Sequence, residues 1–143
     1  MDTSQNQKLN TYSTASLAYL GDCVLEICVR EHLVRSGFSS SARLNKKALD
    51  FVRAPCQAEA MKNILPHLTE EENAIFHRGR NMGHTNTPKA STVAEYRAAT
   101  GLEALFGWLH LAGEKDRIHK LFCIGYGITE KNNENTDTET EKE

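Results

Sequence analysis

At 143 residues the chain has room for one domain with one sizeable core. Hydrophobic residues make up 39% and aromatics only 7%, a lean composition of the kind found in Ala- and Leu-rich helical proteins, and the formal net charge is −2. No run nears the roughly 20 apolar residues that span a bilayer, so membrane-spanning functions are excluded.

The charge is unevenly spread. Residues 130–143 hold six acids and two bases, a net of −4, so the other 129 residues carry 15 bases and 13 acids, a net of +2. From Arg30 to Arg97 there are 11 bases and 7 acids, a net of +4. The mildly basic part is compatible with RNA, and the acidity sits in a tail. The N-terminus, MDTSQNQKLN, is polar and has no apolar leader segment. Cys23, Cys28, Cys56 and Cys123 include no Cys-x-x-Cys pair, so they read as buried free thiols of a cytoplasmic protein.

The elements follow in order. Ser13 or Thr14 caps a first long helix over 14–35, with Leu17, Leu20, Val24, Ile27 and Cys28 at helical spacing and Gly37 just past its end. Leu25, Val29 and Leu33 widen its apolar stripe to most of the circumference, which suits a central helix or one that also faces a partner subunit. Ser41 opens a second helix to about Val52, bearing Arg43, Lys46 and Lys47. Pro55 suits the first turn of a third, which carries Ala58, Met61 and Leu65 inward. Thr69 and Glu72 form a capping box for a fourth, ending near Arg80. Residues 81–91 form a loop by composition. Thr92 to Leu111 is the second long apolar helix, closed by Gly113, and a last amphipathic helix runs from Lys115 to about Tyr126. Nothing alternates with period two, so the class is all-α, with a disordered tail lacking apolar residues.

Each long helix carries an acid among apolar neighbours: Asp22 in Leu20-Gly21-Asp22-Cys23-Val24-Leu25, and Glu103 in Gly101-Leu102-Glu103-Ala104-Leu105-Phe106-Gly107. Carboxylates so placed are normally paired, protonated or bound to a metal. Gly21 and Gly101 sit inside helices at a cost of about 1 kcal/mol relative to Ala, and close approach of a helix or ligand is the usual reason. If the two helices pack together, Asp22 and Glu103 converge. Two carboxylates without sulfur or imidazole suit a hard cation, Mg²⁺ or Mn²⁺, able to activate water against a phosphodiester. The bland alternative has each acid at a helix surface, paired with a nearby Arg or Lys. Glu26, one turn after Asp22, reads either as a supporting acid or as a solvated partner of Arg30. Arg78, Arg80 and Lys89 around the 81–91 loop, with Lys46 and Lys47, are candidate phosphate contacts or ordinary solvated charges. The six histidines include no His-x-x-x-His pair, so zinc is not expected.

Leu17-Ala18-Tyr19-Leu20-Gly21-Asp22-Cys23-Val24-Leu25-Glu26 resembles the signature helix of ribonuclease III, in particular of the bacterial Mini-ribonuclease III branch, which has the catalytic domain alone. Arg78-Gly79-Arg80-Asn81 resembles that family's G-R-N motif, Thr87-Pro88-Lys89 its T-P-K loop, and Tyr96-Arg97 through Leu109 its second catalytic helix. The resemblance runs in order from about residue 14 to 127. It implies an all-α, homodimeric helical bundle of the ribonuclease III endonuclease-domain type, with the catalytic domain over residues 1–128 and the acidic tail over 129–143. It further implies a double-strand-specific endoribonuclease with Asp22 and Glu103 as metal-binding, catalytic carboxylates. The cofactor would be Mg²⁺, with Mn²⁺ as a substitute, and the substrate precursor 23S ribosomal RNA. Ala18 and Thr100 stand where longer members carry further acids, so two carboxylates per site would leave most metal ligands to water and RNA. The runner-up is a non-catalytic RNA-binding or dimerising module of the same fold. A third reading, an all-α nucleotide pyrophosphohydrolase, wants E-x-x-E patterns on facing helices; Glu70–Glu72 sit at a helix start, where they suit the helix dipole instead.

Overall fold

The helices fall where caps and glycines put them. A computed structural model of the chain describes Leu9, residues 11–82 and residues 91–129. Helix α1 spans Thr14–Arg35, and the Ser13 hydroxyl accepts from the Ser16 amide at 3.1 Å. Gly37 ends it at φ +95°, a backbone conformation that side chains disfavour. Helix α2 is Ser41–Val52, opening at Ser41 as expected, with the Ser40 hydroxyl accepting from the Arg43 amide. Helix α3 is Ala54–Ile64, with Pro55 in its first turn, and it tightens into one 3₁₀ turn at Leu65–His67. Helix α4 is Glu70–Arg80, opened by the expected Thr69–Glu72 capping box. Helix α5 is Val93–Leu111, opened by a second capping box between Thr92 and Glu95. Helix α6 is Lys115–Tyr126, stopped by Gly127 at φ +66°. Among the described residues there is no strand, as the absence of period-two alternation requires.

Helix α5 is the axis of the bundle. From Ala99 to Leu109 every residue except Glu103 is buried. It packs against α1, α3, α4 and α6, while α2 leans on α1 and α3 at the edge. A helix apolar all round must be surrounded, and α5 is. Helix α1 is different: Leu17, Val24, Leu25, Val29 and Leu33 are buried, but Tyr19, Ile27 and Val34 on its outer side are 87%, 57% and 62% exposed. Cys23 lies on that outer side and is exposed, against the expectation of four buried thiols; its position falls off the buried arc of the helix. Leu65, expected inward, is likewise exposed, because the α-helix stops at Ile64, which takes the inward place.

One ion pair is embedded in the fold. Arg117 on α6 binds both oxygens of Glu72 on α4, at 2.7 and 2.9 Å, and donates to the His67 carbonyl at 2.7 Å. Glu72 therefore caps α4 and ties it to α6 at once. Burial pushes its carboxyl up, but bonds from Arg117 and Thr69 more than offset this and hold the pKa below its ordinary value. Removing one member of a buried pair leaves an uncompensated charge. Arg117→Leu is expected to destabilise the protein by about 3 kcal/mol or more in urea unfolding at pH 7. The sign of the Glu72 shift makes the pair's contribution present above pH 4.5 and lost as pH falls below it, so the difference between variant and wild type narrows in acid.

Candidate active site

Helices α1 and α5 cross with their backbones in contact. A Cβ added to Gly21 would overlap the Glu103 carbonyl, and one added to Gly107 would overlap the Leu17 carbonyl. Glycine on both sides lets the helices approach more closely than any side chain would allow. The residue after Gly21 is Asp22, and Glu103 supplies the carbonyl that Gly21 touches. The crossing therefore brings the two acids to one place, as the packing of the two long helices was expected to do.

Their environments differ. Asp22 is exposed and Glu103 is only partly so. Burial first, and the Asp22 charge second, push the Glu103 carboxyl up to about 7. Neither acid has an ion pair with Lys or Arg among the described residues; the ion pairs there are Arg30–Glu26, Arg35–Glu31 and Arg117–Glu72. Among the described residues, then, neither acid is neutralised by a neighbouring base. Two acids held together with no counter-cation among the described residues form a site that favours a cation or a proton.

A second glycine contact brings up α4. A Cβ on Gly79 would lie 2.7 Å from the Gly101 Cα, and one on Gly101 would lie 2.6 Å from the Phe76 ring. The last turn of α4 is thus seated on α5 two residues before Glu103. Arg78 in that turn points away, donating to the Tyr12 carbonyl at 3.3 Å at the entry to α1. Arg80 is exposed. Lys46 and Lys47 are exposed on α2, and Lys47 Nζ stands 5.8 Å from the centre of the Phe38 ring. Lys89 lies outside the described residues. Glu26 is bound to Arg30 at 2.9 Å, the solvated-partner outcome, and His110 is exposed at the end of α5. Sequence reasoning singled out Gly21 and Gly101 but missed the part played by their partners Gly107 and Gly79. The signal for Gly107 was a glycine inside the apolar run Leu105-Phe106-Gly107-Trp108.

Residues 15–114, which contain both glycine contacts and both carboxylates, match the family model for the Ribonuclease III domain. The chain belongs to the ribonuclease III family and is an endoribonuclease. Within that family it is similar to several Mini-ribonuclease 3 proteins. The one from Symbiobacterium thermophilum is 41% identical over 121 residues, covering 85% of this chain and 93% of that one. The one from Desulfitobacterium hafniense is 47% identical over 105 residues, covering 72% of this chain and 65% of its own length. A crystal structure of a Fusobacterium nucleatum protein is similar with a TM-score of 0.72 and 34% identity, covering 80% of this chain and 91% of that one.

Two predictions test the crossing. Gly107→Ala drives a methyl group into the Leu17 carbonyl, and it is expected to lose about 3 kcal/mol of stability or more in urea. The second concerns Glu103 without metal. Its folded pKa of about 7 lies above the ordinary 4.5, so the folded chain holds the proton more tightly than the unfolded one. Stability is therefore full below pH 4.5 and is lost as pH rises through 7. Glu103→Gln removes that loss. The variant is expected to exceed wild type at pH 8, by at most roughly 3 kcal/mol, and to match it at pH 4.

Proposed function

We propose that this endoribonuclease is specific for double-stranded RNA, depends on Mg²⁺ with Mn²⁺ as a substitute, and works as a cytoplasmic homodimer on precursor 23S ribosomal RNA. The observation that carries the catalytic part is the Asp22–Glu103 pair, brought together with no cationic partner among the described residues. Its donor chemistry fits the metal: two carboxylate groups with no imidazole or thiolate suit a hard ion. Among the described residues no three His, Cys, Asp or Glu converge, so water and RNA phosphates would complete the coordination. When bound, Mg²⁺ would supply an activated water and neutralise charge building on the phosphate. The chain contributes the rest. Asp22, open to solvent, faces incoming RNA. Glu103, partly buried and tending to hold a proton near neutrality, must give that proton up to act as a ligand, so metal uptake should weaken below pH 7. Lys46, Lys47, Arg80 and Lys89 are suited to phosphates along an A-form backbone, where recognition is by shape and charge. Arg78, bonded to the Tyr12 carbonyl, is better suited to bracing α1.

The homodimer reading rests on the outer side of α1. Tyr19, Cys23, Ile27 and Val34 share one stripe of α1, on the side away from its buried residues, and are exposed. An isologous contact would place two copies of that stripe together. No helix among the described residues is long and apolar enough to cross a membrane.

The test is cleavage of a long perfect RNA duplex with Mg²⁺. Wild type is expected to yield short duplexes, and Asp22→Asn to bind RNA while cutting roughly a hundredfold more slowly or worse. A wild type that cuts neither perfect duplex nor a ribosomal RNA stem, with either metal, leaves the non-catalytic module as the reading. For the assembly, Ile27→Asp should convert a sedimenting dimer to monomer; a wild type that sediments as a monomer ends the dimer reading.

A further inference from the structure

The seating of α4 on α5 has a chemical consequence for the residues that follow Gly79. Gly79 lies against Gly101, Thr100 and Ala104, the turn of α5 that contains Glu103. Arg80 is therefore one residue, and Asn81 two residues, from a backbone contact at the level of the catalytic pair. Both side chains are exposed. Asn81 closes α4 with its backbone alone, its N–H pointing at the His77 and Gly79 carbonyls, so its side-chain amide is not needed for the cap. Arg80 has no ion pair among the described residues, whereas Arg78 in the same turn is bonded to Tyr12. The dipole at the end of α4 has His77 and Arg78 to offset it without Arg80.

We propose that Arg80 and Asn81 form a phosphate grip beside the scissile bond: the guanidinium and the amide N–H groups hold a non-bridging phosphate oxygen next to the one facing Asp22 and Glu103. The inference rests on the nuclease reading above and adds to it a catalytic contact, set by the Gly79–Gly101 seat. A forked guanidinium and an amide are donors matched to phosphate oxygens and carry no sequence preference. The grip differs in kind from Lys46 and Lys47, which lie on another helix and would hold RNA away from the reacting bond. Its loss should slow the chemical step with RNA already bound. Loss of a distant contact should change affinity alone.

The experiment is single-turnover cleavage of an end-labelled perfect RNA duplex with Mg²⁺, at protein concentrations that saturate the RNA. The proteins compared are wild type, Arg80→Ala, Arg80→Lys and Asn81→Ala. Thermal unfolding confirms that each is folded; the substitutions are on the surface, and the cap is made by backbone. Arg80→Ala and Asn81→Ala are expected to cut at least tenfold more slowly at saturation. Arg80→Lys, which keeps the charge and loses the fork, should recover part of the rate. Saturated rates within twofold of wild type for both alanine variants overturn the grip, even if affinity falls, and leave the nuclease reading intact. A wild type that does not cut removes both.

Discussion

The structure depends on one contact, the backbone-to-backbone crossing of α1 and α5 at Gly21 and Gly107. Helices normally pack at 8–10 Å because side chains hold them apart. Here both helices present glycine at the same point, and each glycine's missing Cβ is where the other helix's backbone passes. The cost of glycine inside a helix, about 1 kcal/mol each, is offset by the contact it permits. The crossing also seats two acids in neighbouring positions. A pair of carboxylates is repulsive, and the Asp22 charge adds to burial, the larger cause, in raising the Glu103 pKa. The helix crossing holds that repulsion in place, and a divalent ion would relieve it.

The same device recurs between α4 and α5 at Gly79 and Gly101, so three helices meet around one turn of α5. This explains why the centre of the molecule is a helix whose middle, from Ala99 to Leu109, is buried except at Glu103. Only a fully surrounded α5 can receive α1 on one side and α4 on another with Glu103 between them. The Glu72–Arg117 pair stiffens the arrangement from outside by tying α4 to α6 across a sequence gap of 45 residues.

Much of this was legible in the sequence because it is local. Caps, capping boxes and stop glycines act within a few residues, so the helix boundaries could be read from Thr69, Glu72, Pro55 and Gly127. Asp22 and Glu103 stood out because an acid among apolar neighbours violates the helical pattern. The Thr92–Glu95 box was equally local and was passed over. What could not be read was the identity of partners far apart in the chain. Nothing near Glu72 announces Arg117, and Glu72 looked like one of three acids favouring a helix start. Nothing near Arg78 distinguishes it from Arg80, yet one reaches the Tyr12 carbonyl and the other is open to solvent.

The sequence by itself determined the all-α class, the order and extents of the helices, and the two acids that break their apolar pattern, because hydrophobic periodicity and capping chemistry are properties of neighbouring residues. Only the tertiary structure decided that these acids lie close together without a counter-cation among the described residues, that Gly107 and Gly79 complete the contacts begun by Gly21 and Gly101, and that the outer stripe of α1 is left uncovered. Those facts depend on which helix faces lie against one another. Packing of a whole core, not any local preference, selects that arrangement.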